Sequence, residues 1–554
     1  MFKKYYFIVL IILILSSNVT AAEQPDIGDV LQETEEKPQI EQQKEEIPQI
    51  KGEEIEEPLQ DLSGQKVMVK KIEIIKNNMI DSKTLESLVN TEEYTNKKLT
   101  FSQMEKAALE ITRYYREQGY FVARAYIPKQ EMKEGMLKIA VIEGQYGQFK
   151  LQNESLVRDQ TLQSMLDSIK NNEIISVNTI ERAMLIINDT PGSRVTQADI
   201  MPGEQLGTSD FAITAEATDR YSGYLVADNY GGEYTGKERL STALDINSPF
   251  KLGDKISLNA MLTDESALEN YRLAYSLPLT ATGLRMEMAY GETEYELGGI
   301  YSNLEAVGSS KDLELNFNFP AVRTRSKNLN FYANLNKRDL NDEILNQKTE
   351  KENRKLDTGF SYTKNHSLLS WNSQQKIDFN LTIGELDFKD PNQDTENTEG
   401  RYSKLNINLA ENMVFNQKWS LDSSIEMQYS LSDDNLDGSE DLSIGGANGV
   451  KLYPSGEFSA ENGYLFNLEL FYELPKYKNI ASRLSIFYDQ GRADMAEETP
   501  GFKDRTLKDM GIGYHLNYNN LFAKIYWAHK IDNEDITSED DYDDKLLIQM
   551  GYVF

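Results

Sequence analysis

Lys545-Leu546-Leu547-Ile548-Gln549-Met550-Gly551-Tyr552-Val553-Phe554 sets Leu546, Ile548, Met550, Tyr552 and Phe554 on every second position. Period-two spacing puts all five on one face of a strand. A soluble protein rarely exposes such a strand at a sheet edge, because the edge invites pairing with other chains. A strand closing a barrel in lipid has no free edge and needs an apolar outer face. Taken alone, the segment fits the final strand of a soluble β-sandwich equally well.

The other end decides between them. Lys3 and Lys4 precede an uncharged apolar run from Tyr5 to Leu15, and Ser16 to Ala22 supply small residues. A basic start, a short apolar run and a small-residue site read as a signal peptide over 1–22, cleaved after Ala21 or Ala22. The run is too short to span a bilayer comfortably. No later stretch is apolar enough for a membrane helix, and the mean hydropathy is negative. An exported chain without a spanning helix can still be a membrane protein, since alternating strands hide from hydropathy averages.

The 554 residues carry a formal net charge of -32, which argues against nucleic acid as a partner. There is no cysteine, so disulfides, thiolate metal sites and cysteine nucleophiles are excluded. Tyr is abundant at 31 residues and Trp scarce at 3, so Tyr is available for the aromatic girdles of a barrel.

Residues 23–65 are rich in Glu, Gln and Pro, a composition that cannot offset its ordering entropy. They read as an acidic disordered linker with one short helix near Asp26 to Glu36, where Ile27, Val30 and Leu31 share a face. Residues 66–144 form a small α/β unit of order β-α-α-β-β. Its strand is Val67 to Ile75, and Asp81 caps a short helix through Val89. Thr100 and Gln103 make a capping box, Gly119 closes the second helix, and strands follow over Phe121 to Ile127 and Met136 to Glu143. Residues 145–218 repeat that order, with helices from about Thr161 to Ile169 and Val177 to Asn188, and strands at Val195 to Met201 and Ser209 to Ala217.

From about Tyr221 the helical pattern vanishes. Leu240, Thr242, Leu244 and Ile246 alternate with smaller or polar residues, as do Ile256, Leu258, Ala260 and Leu262. The link between these runs is tight, whereas Asn341 to Arg354 and Asp390 to Arg401 read as long polar loops. Short turns on one side and long loops on the other fit an outer-membrane barrel over 219–554, with room for about sixteen antiparallel strands.

In order and spacing the residues resemble the two-partner secretion transporters, the TpsB branch (ShlB/FhaC/HecB type) of the Omp85 superfamily. The matching runs are Gly119 to Gln130 and Val141 to Gly144 in the first unit, and Asn188 to Gly192, Pro202-Gly203 and Gly207 to Asp210 in the second. At the barrel start they are Asp228 to Gly231, Gly236, Arg239, Asn247, Pro249 and Gly253-Asp254. The resemblance implies an outer-membrane β-barrel of a diderm bacterium preceded by two periplasmic POTRA domains. It further implies a pore-folded loop whose Val-Arg-Gly-Tyr-like tip pairs with an inward Phe-x-Asp-x-Gly strand.

Here the tip reads Val450-Lys451-Leu452-Tyr453 and the strand Phe487-Tyr488-Asp489-Gln490-Gly491. Lys451 replaces the family arginine and cannot make a bidentate fork to a carboxylate. The expectation is a looser Lys451–Asp489 pair; the alternative is a lysine on a solvated loop. The resemblance also implies docking of the exported chain around Tyr120, Arg124, Tyr126, Pro128, Asp189, Pro191 and Gly192, and a barrel-assembly signal in Tyr552 and Phe554. The short helix near Asp26 is expected to plug the pore. Docking can occur by edge-strand addition at Phe121 to Ile127 or Val195 to Met201, if these are not interior strands.

No Walker A loop, Gly-x-Ser-x-Gly elbow or His-Glu-x-x-His motif is present, and His366, His515 and His529 stand apart. No cofactor, metal site or enzymatic activity is expected. The reading is a passive export pore for one large exoprotein of the haemolysin, adhesin or contact-dependent toxin type. Its other partners would be outer-membrane lipid and the barrel-assembly machinery. A barrel-assembly insertase and a ligand-specific porin are the competing readings.

Overall fold

A computed structural model describes residues 27–35, 48, 65–172, 174–264, 267–395, 397–432, 434–496 and 503–554. The expected signal peptide and most of the linker lie outside the described residues.

The first α/β unit contains β1 (Lys66–Val69), β2 (Lys71–Ile75), α2 (Ser82–Val89), β3 (Lys97–Thr100), α3 (Phe101–Glu117), β4 (Arg124–Tyr126) and β5 (Met136–Ile142). The helix of the linker, Ile27–Glu35, is α1. Val67 to Ile75 is two strands, not one. The chain breaks at Lys70, whose N–H turns to Gly135 O at 2.7 Å. This lets β1 pair with β3 as a separate ribbon while β2 runs parallel to β5. The Thr100–Gln103 capping box starts α3, and Gly119 follows its end at φ +91°. Tyr115, on the buried face of α3, donates to Glu143 Oε1 at 2.8 Å, and the same carboxylate accepts the N–H groups of Asn78 and Met79 at 2.7 Å. Burial and the adjoining carboxylate hold the Tyr115 phenol far above its ordinary range.

The second unit contains β6 (Gln145–Glu154), α4 (Asp159–Ser168), α5 (Val177–Asn188), β7 (Arg194–Pro202) and β8 (Thr208–Glu216). Its sheet order is β6-β8-β7, and that of the first unit is β2-β5-β4. The two candidate docking strands, β4 and β7, therefore both lie at sheet edges. Each unit packs its helices on one sheet face over its own apolar core.

From Tyr221 onward sixteen strands close a barrel, every neighbouring pair antiparallel. The last strand, Asp544–Val553, joins the first, Tyr221–Asp228, and Phe554 extends the seam by exchanging backbone hydrogen bonds with Gly223. Leu546, Met550, Tyr552 and Phe554 are exposed on the outer wall, while Leu547 and Gln549 are buried inside. Asn341 to Arg354 is not a loop. Its strands continue to a tight hairpin at Leu345-Asn346, both at positive φ. Beyond the membrane both faces of a strand meet water, so a polar run with no apolar face still pairs as sheet.

Short turns lie on the side of the second α/β unit and hold it. Arg323 forks onto both carboxylate oxygens of Asp189 at 2.7 and 2.6 Å. Arg325 reaches Glu181 at 2.7 Å, Arg182 donates to Thr282 O at 3.0 Å, and Ser248 donates to Pro191 O at 2.8 Å.

Candidate functional site

The connection between the strands Trp419–Ser430 and Asn462–Glu473 turns inward instead of outward. Its tip is a compact fold: Val450 N–H bonds Ile444 O at 2.9 Å, Tyr453 N–H bonds Val450 O at 3.1 Å, and Gly446 N–H bonds Tyr453 O at 3.0 Å. Val450, Lys451, Leu452 and Tyr453 are all buried, packed with Phe487 and Tyr526 of the wall.

Phe487, Asp489 and Gly491 face the lumen because Leu484 and Ile486 are spaced to bring the even positions of that strand to the outside. Lys451 Nζ sits 2.8 Å from Asp489 Oδ2, and both side chains are nearly inaccessible. Asn467 completes the carboxylate, donating to Oδ1 at 2.8 Å, and it also donates to Gly449 O at 2.9 Å. Lys451 lies over the rings of Phe487 at 4.6 Å and Tyr526 at 5.6 Å, which adds cation–π attraction. Asp509 stands opposite Asp489 in register and accepts the Leu452 N–H at 2.6 Å. Gly491 is needed for close approach, since a Cβ there would lie 2.7 Å from Ile444 Cβ.

Several fastenings escaped the reading of the sequence. Glu457, on the far limb of the loop, accepts Arg505 at 2.7 Å, the Thr537 N–H at 2.8 Å and the Ser538 hydroxyl at 2.6 Å. Tyr453 donates to Asp532 at 2.6 Å. Together they pin the outer loop 531–543 to the inward loop. On the opposite wall, Lys351 pairs with Asp437 at 2.7 Å, and Lys355 and Lys404 clamp Glu440 at 2.7 and 2.9 Å. Inward parity of these lysines, next to an acidic loop, was the available signal, but no local motif marks which carboxylate each one meets.

Helix α1 lies in the lumen. Ile27 N–H donates to Asp342 Oδ1 at 3.0 Å, a carboxylate at a helix N-terminus, and Tyr295 donates to the same oxygen at 2.6 Å. Thr235 donates to Glu33 at 2.8 Å. Ile27, Val30 and Leu31 pack on Met261, Leu268, Tyr295 and Leu340. At the barrel start Arg239 and Asp228 form a buried pair at 2.9 Å.

Among the expected docking residues, Arg124 is exposed on edge strand β4, and Tyr126 and Pro128 are half-buried beside it. Tyr120 packs edge-on against Tyr115 at 5.8 Å as part of the domain core. Asp189, Pro191 and Gly192 lie at the junction with the barrel turns, where Asp189 accepts from Arg323 and Pro191 O from Ser248. Turn chemistry alone shows that such residues bend the chain but not what the bend abuts.

Comparison with known proteins places this geometry in a family. The model "Haemolysin secretion/activation protein ShlB/FhaC/HecB" matches residues 207–515, more than half of the chain, and "POTRA domain, ShlB-type" matches 49–144. The heme/hemopexin transporter protein HuxB of Haemophilus influenzae is 26% identical over 533 residues, covering 94% of each chain. The outer membrane transporter CdiB of Dickeya dadantii is 22% identical, covering 71% of each. The structure of CdiB from Escherichia coli superposes with a TM-score of 0.74 at 19% identity, covering 89% of this chain and 91% of that one.

Proposed function

We infer a mechanism from one premise: this chain belongs to the haemolysin secretion/activation family ShlB/FhaC/HecB. It is an outer-membrane two-partner secretion transporter, with its POTRA units in the periplasm, and it translocates a partner exoprotein of the TpsA type. How it does so is our proposal, and the buried Lys451–Asp489 contact carries it.

The exoprotein arrives unfolded and adds as a strand to the edge of β7; β4 is the poorer edge, because the Ala125 N–H already donates to Thr112 Oγ1 at 2.9 Å. The lumen is then closed by two bodies, the inward loop and α1. Neither is a strand of the wall: each is seated against it by apolar packing and a few polar fastenings, so both can shift while the barrel stays closed. Lys451 makes one directed contact where a guanidinium would make two, which lowers the barrier to release. No nucleotide is consumed; folding of the exported chain outside withdraws it from the equilibrium and sets the direction. The protein itself performs no chemistry. Its exported partner is of the haemolysin, adhesin or contact-dependent toxin type, and its own insertion uses the barrel-assembly machinery, with Tyr552 and Phe554 as the signal.

The test is export of the partner exoprotein, measured in the medium, with β7 blocked. Ala198→Pro removes a backbone donor from that edge strand. Export should fall while the barrel still inserts. Unchanged export with Ala198→Pro in place would reject edge-strand docking at β7.

A further inference from the structure

We propose that the outer wall between Val307 and Val414 carries a binding site for a phosphorylated, multiply acylated lipid of the outer leaflet. Five adjacent strands form this wall, Val307–Arg323, Lys327–Ile344, Gln347–Leu368, Trp371–Phe388 and Gly400–Val414. Their lipid-facing residues are apolar up to one boundary on the side away from the POTRA units. On three of the five the next outward residue is a cation, Lys311, Lys337 or Arg354; on the fourth it is Glu385, and on the fifth it is Ser403, with Arg401 at the following outward position beside Glu385. Strands on either side end their apolar runs differently, with exposed Tyr271 and Tyr290 before and Tyr429 after. The aromatic girdle expected at such a boundary is therefore interrupted over this wall and replaced by positive charge.

Directly below the cations lies an apolar groove lined by Met288, Leu313, Leu315, Leu335, Leu356 and Ile383. A groove of this kind accepts acyl chains, and the cations at its mouth stand where a headgroup phosphate would reach them. Lys337 and Arg354 are directly opposite in register, a like-charge pairing that destabilises a sheet. They share the carboxylate of Glu352, a row further out, with Lys337 Nζ at 2.9 Å; Lys337 also lies 3.4 Å from Asp339, Arg354 3.6 Å from Asp387, and Lys311 3.2 Å from Glu292. Arg401 meets Glu385 at 3.4 Å, with its side chain 85% exposed. The cations thus lie nearest the acyl region and Asp339, Glu352 and Asp387 one row beyond, the depth order that suits a phosphate linking acyl chains to a sugar. Guanidinium groups recognise phosphate through paired N–H donors, so Arg354 and Arg401 supply the specificity.

The test uses the full chain purified in detergent. It is mixed with bisphosphorylated lipid A, with phosphatidylethanolamine, or with lipid A in the presence of inorganic pyrophosphate, and retained lipid is counted by native mass spectrometry. A Lys337→Gln/Arg354→Gln/Arg401→Gln variant runs beside it, its barrel checked by heat-dependent migration. Lipid A should be retained about tenfold over phosphatidylethanolamine, and the triple variant should lose that preference. Pyrophosphate should not displace the lipid, because the groove contributes to binding. Equal retention of both lipids would mean ordinary snorkelling of long side chains and would overturn the proposal. So would a triple variant that keeps its lipid A, or displacement by pyrophosphate alone. Should the triple variant fail to form a barrel, Arg401→Gln, a change at a fully solvated tip, should lower retention about threefold, and no change there would likewise reject the site.

Discussion

Asp489 of the barrel wall holds Lys451 of the inward loop at 2.8 Å, and a second carboxylate, Asp509, stands directly across from it. The arrangement is asymmetric: one cation faces two acids. Removing one partner of a buried pair costs about 3–5 kcal/mol, because the other charge is left without its counter-ion. Lys451→Ala strands two carboxylates, whereas Asp489→Ala leaves Asp509 for Lys451 to approach. Export should therefore fall further in Lys451→Ala than in Asp489→Ala. Partner protein in the medium, normalised to inserted barrel, is the measurement; equal export from both variants and the parent would show that the pair is dispensable.

Glu457 ties two loops together. Its carboxylate takes donors from Thr537, Ser538 and Arg505, so the outer loop 531–543 cannot lift without breaking several contacts at once. Glu457→Ala leaves Arg505 with Glu534, the Asp535 carbonyl and the Thr537 hydroxyl, and removes the acceptor shared by Thr537 and Ser538. Loss of charge-assisted hydrogen bonds of this kind costs about 1.5–3 kcal/mol each in buried settings. The expected outcome is more frequent opening in planar-bilayer recordings, with no loss of barrel migration on gels. A conductance trace indistinguishable from the parent would mean that loop 531–543 is not a restraint.

Much of this was legible in the residues and some was not. The outward face of the final strand was readable because Leu546, Met550 and Tyr552 obey a period of two that any half-buried strand imposes. The cap of α3 was readable because Thr100 and Gln103 satisfy each other locally. Lys451 and Asp489 could be paired only through family resemblance, since 38 residues separate them and nothing local links them. The job of Asp189 was hidden for the same reason: its partner, Arg323, lies 134 residues away. Asn341 to Arg354 misled because polarity was read as loop, although strand pairing is set by the backbone and needs no apolar face outside the membrane.

The Arg323–Asp189 fork ties the second POTRA unit to the barrel turns through two hydrogen bonds. Asp189 is partly exposed, so solvent screening limits the pair to about 1 kcal/mol. Arg323→Asp should loosen the junction and speed protease cleavage between residues 188 and 221. Adding Asp189→Arg should restore part of the protection, since the pair is then reversed. A double variant cleaved as fast as Arg323→Asp would place the stability of the junction in its backbone and apolar contacts.

Tyr115 makes the first POTRA unit sensitive to alkali in a defined direction. Its phenol lies far above its ordinary range because burial disfavours the phenolate and Glu143 repels it. A folded-state value above the unfolded one, about 10, means that the neutral phenol is favoured by folding. Its contribution is fully present below that pH and is lost as the pH rises toward the folded-state value. Amide exchange in α3 and β5 should therefore be flat from neutral pH to about 9, once corrected for the intrinsic rate, and should accelerate above 10. Tyr115→Phe cannot ionise, so it should remove that acceleration, while destabilising the unit at neutral pH because Glu143 loses its hydroxyl donor. Parallel alkaline profiles in the two proteins would assign the loss to other groups, such as Tyr94, which burial and Glu93 push up to about 12 in the same domain.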